Sequence, residues 1–351
     1  MARLRRVDCS GPGITRRRRG KGFEYTDDDG RRVVEPSLLE RVRELAIPPA
    51  WEEVWICPFP MGHIQATGID ARGRKQYRYH DKWRERRDRE KFDSMEDFAR
   101  TLPRVRRRVS KDLAREGMSR ERVLACAIRL MDLRFFRIGS EDYAEENDTY
   151  GIATMGKRHV TVSGDDVTFE YAAKGGQMRV QHVADQDVAK VVRALVRRRG
   201  GGEELLAWKD GRRWVDVKSR DVNAYLKEIA GREFSAKDFR TWKATVLTAM
   251  ALSVSGLAAQ TKTARKRAKS RAIKEAAHFL GNTPAVCRAS YIDPRVFDRF
   301  DGGLTIGGVL PDLVEDGQVW PDIEEAVLDL LAGDRGSDFV ERARELEDVA
   351  A

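Results

Sequence analysis

The stretch "LGNTPAVCRASYIDP", Leu280 to Pro294, places Tyr291 nine residues after Asn282. A phenol, with a pKa of about 10, is a poor nucleophile at neutral pH. Basic residues at the expected ends of other elements could change that: Arg137 after a helix, Lys174 on a β-turn and Arg240 one turn into a capped helix. Two guanidiniums beside a phosphodiester would stabilise both the phenolate and the negative charge of a pentacoordinate transition state. Their forked donors match phosphate oxygens. A lysine on a mobile turn can protonate a leaving alkoxide, and an amide donor from Asn282 can complete the cage around a non-bridging oxygen. Taken singly, each basic residue reads as an ordinary surface charge and Tyr291 as a packing residue. Taken together they fit one chemistry, which needs no metal and no nucleotide.

The elements that must position them can be read from periodicity and capping. Ser119 can cap a helix with Leu124, Ile128, Met131 and Phe135 on its apolar face, ending near Gly139 with Arg137 in its last turn. "RHVTV", "VTFEY" and "MRVQHV" alternate apolar and polar residues, predicting a three-stranded meander with Lys174 in its second turn, beside Gly175 and Gly176. A helix near Ser219 to Ile229 takes Ser219 as its N-cap. "SAKD", Ser235 to Asp238, has the form of a capping box and opens a helix through Leu252. Phe239, Trp242, Val246 and Met250 make that helix's buried stripe and turn Arg240 off it. The basic "TKTARKRAKSRAIKEAAHFL" predicts a helix closed by Gly281, and Thr283-Pro284 starts the short helix that carries Tyr291 near its end. Upstream, the opening segment ending in "TRRRRGKG" reads as a flexible basic arm. It is followed by a hairpin turning at Asp29-Gly30, a short helix stopped by Pro48-Pro49, and further antiparallel strands. "RRRGGGEE" reads as a flexible connection.

Composition bounds the partners. The 351 residues are 41% hydrophobic and carry a net charge of +9. From Asp301 onward there are 14 acidic residues against 3 arginines and no lysine, a net −11, so the preceding 300 residues carry +20. So basic a body suggests a polyanionic partner, most simply nucleic acid. Cys9, Cys57, Cys126 and Cys287 form no CxxC, and the five histidines lack metal-ligand spacing. The acidic run Glu141 to Asp148 is the one lead for a metal, and isolated charge runs are mostly solvated surface. No P-loop and no G-x-S-x-G elbow occurs. No secretion signal or membrane-spanning apolar run is visible, which leads us to expect a soluble cytoplasmic protein associated with the nucleoid.

The chain resembles the bacterial type IB DNA topoisomerases, on "LAIPPAWEEVWICPFPMGHIQATGIDARGRKQYRYH", "FRIGSEDYAEENDTYG", "KDFRTWKAT" and "LGNTPAVCRASYIDP", in that order. The resemblance implies an α+β protein: a small β-rich N-terminal domain and a mainly α-helical catalytic domain containing a three-stranded antiparallel sheet, together a C-shaped DNA clamp. It further implies relaxation of positive and negative supercoils through a 3′-phosphotyrosyl intermediate, strand swivelling and religation, with no cofactor, ATP or required metal. Carried over by residue, Tyr291 is the nucleophile, Arg137 and Arg240 bind the scissile phosphate and Lys174 is the general acid. Asn282 stands where eukaryotic and viral relatives have histidine.

The expected domains are 1–90, 91–300 and an acidic extension 301–351 with one amphipathic helix, about Ile323 to Leu331, otherwise read as a disordered solubiliser. The expected partner is double-stranded DNA bound with little sequence preference by a monomer, without nucleotide or membrane. In "RGRKQYRYH", Arg72, Arg74, Lys75 and Arg78 interleave with Tyr77 and Tyr79, which suits phosphate contacts plus sugar or base packing. A strand with outward charges and inward aromatics has the same pattern. Two rival functions stay open: a tyrosine site-specific recombinase, which typically has H-x-x-R where this chain has "KDFR", and a non-catalytic DNA-binding protein on the same fold.

Overall fold

The arginine run expected to be a loose arm is a strand. In the computed structural model, which describes residues 3–139, 148–256, 259, 261–307, 320–334 and 336–342, β1 (Ile14–Arg19) lies between β2 (Gly22–Thr26) and β3 (Glu52–Ile56). A pleated strand needs only one side of each residue pair to be buried. Ile14 enters the core, and the Arg16 guanidinium donates to the carbonyls of Ile47, Pro48 and Trp51. β4 (Ile64–Ile69) and β5 (Lys75–Tyr79) complete an antiparallel sheet in the order β2-β1-β3-β4-β5. The turn at Asp29-Gly30 forms, with Gly30 at φ 75°, but its return strand is a single bridge, Thr26 to Arg32. Helix α1 (Pro36–Glu44) contributes Val42 to a core with Ile14, Val54, Ile56 and Ala66.

The chain divides into two compact units, Met1–Asp93 and Ser94–Ala351. Helix α2 (Asp81–Leu113) is followed by α3 (Arg120–Leu133), whose first turn is capped by Ser119 accepting from the Arg122 amide at 3.3 Å. Val123 to Ile128, Leu130 and Met131 are all buried, so α3 is covered nearly all round and forms the centre of the helical unit. The helix stops at Leu133 rather than near Gly139, which puts Arg137 in the irregular segment after it.

The meander forms as β6 (Val160–Ser163), β7 (Asp166–Ala173) and β8 (Gln177–Ala184), with Lys174 in the β7–β8 turn. Helix α4 (Gln186–Arg197) follows. The "RRRGGGEE" connection is pinned, because buried Arg198 donates to the carbonyls of Leu195, Gly202, Glu204 and Leu205. β9 (Ala207–Asp210) and β10 (Arg213–Asp216) form a hairpin. Helix α5 (Ser219–Ala230) begins at Ser219, not after it: Lys218 is the N-cap, and its amide donates to Asp221. Then come α6 (Ala236–Gly256), α7 (Lys262–Leu280), α8 (Pro284–Ser290), α9 (Pro294–Asp301) and β11 (Leu304–Thr305). Helix α10 (Trp320–Ala332) buries Ile323, Ala326, Val327, Leu330 and Leu331. It precedes β12 (Glu341–Arg342), which pairs with β11. Among the described residues of the acidic extension, expected to be a disordered solubiliser apart from its helix, α10 is packed and β12 is paired. No helix among the described residues is long and apolar enough to cross a membrane.

Candidate active site

Four segments of the second unit meet at the C-terminal end of α7. Gly281 ends that helix at φ 63°, and the last carbonyls of a helix lack intrahelical donors and carry its negative dipole end. Arginines supply the donors. Arg240 Nη2 donates to the Leu280 carbonyl at 2.8 Å and its Nη1 to the Phe135 carbonyl at 2.8 Å. Arg137 Nη2 donates to the Gly281 carbonyl at 2.9 Å and to Asn282 Oδ1 at 2.6 Å.

Arg240 was expected to lie off the buried stripe of α6, yet it is only 5% exposed. The helix is covered on most of its circumference between Phe239 and Val246, so no side of it is free for a solvated arginine. Burial, reinforced by the Arg137 charge, pushes the Arg240 guanidinium down to about 10. Arg137 is held by its backbone as well: its carbonyl accepts from the Ile152 amide at 2.8 Å. That pairing requires the glycine next door, since a Cβ on Gly151 would sit 2.7 Å from the Arg137 carbonyl oxygen and 2.3 Å from the Gly139 nitrogen.

Tyr291 is the C-cap of α8, its amide donating to the Cys287 carbonyl at 2.9 Å, and Thr283 caps the other end of that short helix. Its ring lies 5.5 Å from the Arg240 guanidinium carbon. Burial works to raise the phenol's pKa, but the charges of Arg240, Lys237 and Arg137 outweigh it and hold the pKa below its ordinary value. Arg137, Lys174, Lys237, Arg240 and Tyr291 line one open cleft of about 420 Å³. Lys174 also borders a neighbouring cleft of about 320 Å³ with Arg137, Arg134 and Arg179. Buried Asn282 Nδ2 and Arg240 Nε find no hydrogen-bond partner among the described residues. The Asn282 amide is oriented by Arg137, which takes its oxygen and leaves the Nδ2 donor over.

The structure thus brings Arg137, Arg240, Asn282 and Tyr291 together at one helix terminus and sets Lys174 on the rim of the same cleft. Lys237 and Thr245 were not singled out from sequence as part of this site. Lys237 was visible in "KDFR", three residues before Arg240, but only as a family mark. Thr245 Oγ1 accepts from the Asp293 amide at 3.1 Å, joining α6 to the tyrosine segment; its hydroxyl donates within α6 to the Thr241 carbonyl at 3.1 Å, with the Tyr291 carbonyl further off at 3.4 Å. Nothing in the local sequence of either segment signals that contact.

The residues expected from sequence to grip DNA belong to the other unit, on the edge strand β5 and the turn before it. Lys75, Tyr77 and Tyr79 are exposed on one face, and the two tyrosine rings stack at 5.9 Å and 14°. Arg78 is half-buried on the opposite face. The inward-aromatic arrangement is therefore not the one adopted. Arg72 and Arg74 are exposed in the turn, where Nε and Nη2 of Arg74 donate to Asp70 Oδ2 at 3.0 and 2.7 Å. Of the acidic run Glu141–Asp148, all but Asp148 lies outside the described residues. Among the described residues no three His, Cys, Asp or Glu side chains are grouped to hold a metal.

Comparison with known proteins identifies the family. The sequence model of the eukaryotic DNA topoisomerase I catalytic core matches residues 80–300, and that of the bacterial DNA topoisomerase IB N-terminal domain matches residues 22–70. DNA topoisomerase 1B of Acanthamoeba polyphaga mimivirus is 32% identical over 286 residues, covering 80% of this chain and 85% of the viral protein. DNA topoisomerase 1B of Vaccinia virus (strain Copenhagen) is 20% identical over 71% of this chain and 74% of its own length. DNA topoisomerase 1 of Mycosarcoma maydis is 24% identical over 45% of this chain and 17% of its own length. The chain belongs to the type IB DNA topoisomerase family.

Proposed function

We propose that Tyr291, Arg137, Arg240, Lys174 and Asn282 carry out the strand cleavage and religation by which this type IB topoisomerase relaxes supercoiled DNA. The observation that carries the reading is the Tyr291 ring 5.5 Å from a buried guanidinium, in a cleft shared with a second arginine and two lysines. The Tyr291 hydroxyl gives its proton to solvent water in the open cleft, and the phenolate oxygen attacks phosphorus. The P–O5′ bond breaks, and Lys174 delivers a proton to the departing 5′-oxygen. This leaves a 3′-phosphotyrosyl link and a free 5′-hydroxyl.

Arg137 and Arg240 oppose the charge that builds on the non-bridging oxygens, and the buried Arg240 is screened less by water than a surface arginine would be. A buried donor without an acceptor costs about 1–3 kcal/mol, and Arg240 Nε and Asn282 Nδ2 are two such donors that a phosphodiester would satisfy. After the broken strand swivels, the 5′-hydroxyl attacks the phosphotyrosine and reverses each step. The link conserves the phosphodiester's free energy, so stored supercoiling drives the cycle.

On this reading the protein is a monomer that binds duplex DNA with little sequence preference in the cytoplasm, on the nucleoid, and needs neither nucleotide nor metal. Lys75, Tyr77 and Tyr79 offer the contact face of β5, with Arg72, Arg74 and Arg78 around it. The test is relaxation of positively and negatively supercoiled plasmid in chelator without nucleotide. Wild type relaxes both signs and Tyr291→Phe relaxes neither while still binding DNA. A strict need for Mg²⁺ or ATP, or equal activity in the variant, would overturn the assignment. A strand-exchange assay on paired sites separates it from recombination.

A further inference from the structure

The match to the family's catalytic core ends at residue 300, yet the helix beyond it is held by buried polar contacts. Glu324 on α10 is 7% exposed. Its Oε1 accepts from the Trp242 indole at 3.0 Å, the Trp320 indole at 3.1 Å and Arg106 at 3.0 Å, and its Oε2 accepts from Arg106 at 2.6 Å. On its other edge the Arg106 guanidinium donates to both oxygens of Asp132, at 2.8 and 3.0 Å. Burial works against its charge, and hydrogen bonds to Asp132 and Glu324 more than restore it, so Arg106 stays ionised. A buried charge cluster of this kind adds little net stability, but removal of one partner leaves an uncompensated buried charge.

The far end of α10 is tied as well. Arg299 on α9 donates to the carbonyls of Leu330 and Leu331, each at 3.1 Å. The chain then turns at Gly333, with φ 76°, where a Cβ would lie 2.7 Å from the Arg299 guanidinium.

Both attachments lead to the catalytic centre. Trp242 and Lys243 follow Arg240 by two and three residues on α6. The Lys243 ammonium donates to the Asp132 carbonyl, alongside the bond from Arg240 to Phe135. Helix α9 begins three residues after Tyr291. α10 therefore touches the helix of Arg240 at one end and the helix beside Tyr291 at the other. We infer that α10 is a brace that sets the spacing of Arg240 and Tyr291, with Glu324 and Arg299 as positioning residues. The inference rests on the catalytic reading of those two side chains.

The test uses the full chain with Glu324→Gln and, separately, Arg299→Leu and Arg299→Lys. Duplex affinity is measured beside the single-turnover rate of covalent adduct formation at saturating DNA across pH. The Gln and Leu variants should keep Kd within about twofold while the rate falls roughly 10- to 100-fold, as expected for a misplacement of about 1 Å. The rise of the rate with pH should move to higher pH, because Tyr291 loses part of the Arg240 field. Arg299→Lys, which keeps a donor, should recover most of the rate. Should Glu324→Gln fail to fold, Trp320→Phe, which removes one donor, should show the same shift in smaller measure. An unchanged rate and pH profile, or affinity and rate falling in proportion, would overturn the brace. A wild type that forms no adduct would instead overturn the catalytic reading, whatever the variants do.

Discussion

The Arg240 centre and the β5 edge strand are both rich in arginine, lysine and tyrosine, and they handle these residues in opposite ways. At the centre, Arg240 is buried and fixed between the Phe135 and Leu280 carbonyls, with Tyr291 against it. On β5, Lys75, Tyr77 and Tyr79 face solvent. A buried charge is screened less and acts on a defined neighbouring atom, whereas an exposed charge is screened over about 8 Å at physiological salt and acts on the average field of the backbone. The first arrangement suits rate and the second suits affinity. That difference is what substitutions should expose.

The largest effect should come from Arg240→Gln. Removing one preorganised donor to a developing oxyanion lowers the cleavage rate on the order of 10²- to 10³-fold. The pH profile should change as well. The phenolate is the attacking form, so the rate rises with pH and levels off above the Tyr291 pKa, which is held below its ordinary value. Arg240 is the strongest of the charges lowering it, while burial raises it. Without Arg240 the rising limb therefore moves to higher pH; a limb that stays in place would separate Arg240 from the phenol.

Lys174→Ala comes next. Loss of a general acid should cost about 10²-fold or more in single-turnover cleavage. A substrate with sulfur in place of the scissile 5′-oxygen should cancel most of that loss, because a thiolate leaves without a proton. Equal slowing on both substrates would deny Lys174 the proton transfer.

The smallest effects belong to the strand. Lys75→Ala should leave the cleavage rate at saturating DNA unchanged and reduce the slope of log affinity against log salt by roughly 1. Arg74→Ala should change the slope less, since Asp70 already pairs with that charge. A larger slope change at Arg74 than at Lys75 would reverse the assignment of the contact face.

Much of the candidate site was legible because its members sit at punctuated positions. Gly281, the Thr283-Pro284 cap and the Ser235–Asp238 box are local signals, and each fixes where Asn282, Tyr291 or Arg240 falls. The meander and the turn carrying Lys174 follow from strict alternation. What was misread depended on partners distant in sequence. The run Ile14–Arg19 looks like an arm until β2 and β3 flank it. Arg240 looks exposed until α7 and the Phe135 segment cover it. Arg137 looks helical because Phe135 continues the spacing of α3 by chance, and no local signal marks the stop at Leu133. The α10 helix was legible as amphipathic. Its attachment was not, because Glu324 finds Arg106 across 218 residues. Lys237 was in plain sight, but its effect on Tyr291 is a matter of distance in space.

The most direct test of the central claim is to trap wild-type protein on a duplex labelled on either side of the nick and to map the adduct. The account predicts one covalent bond, from Tyr291 to a 3′-phosphate, with a free 5′-hydroxyl on the other strand end. An adduct through another residue, or through a 5′-phosphate, would contradict it.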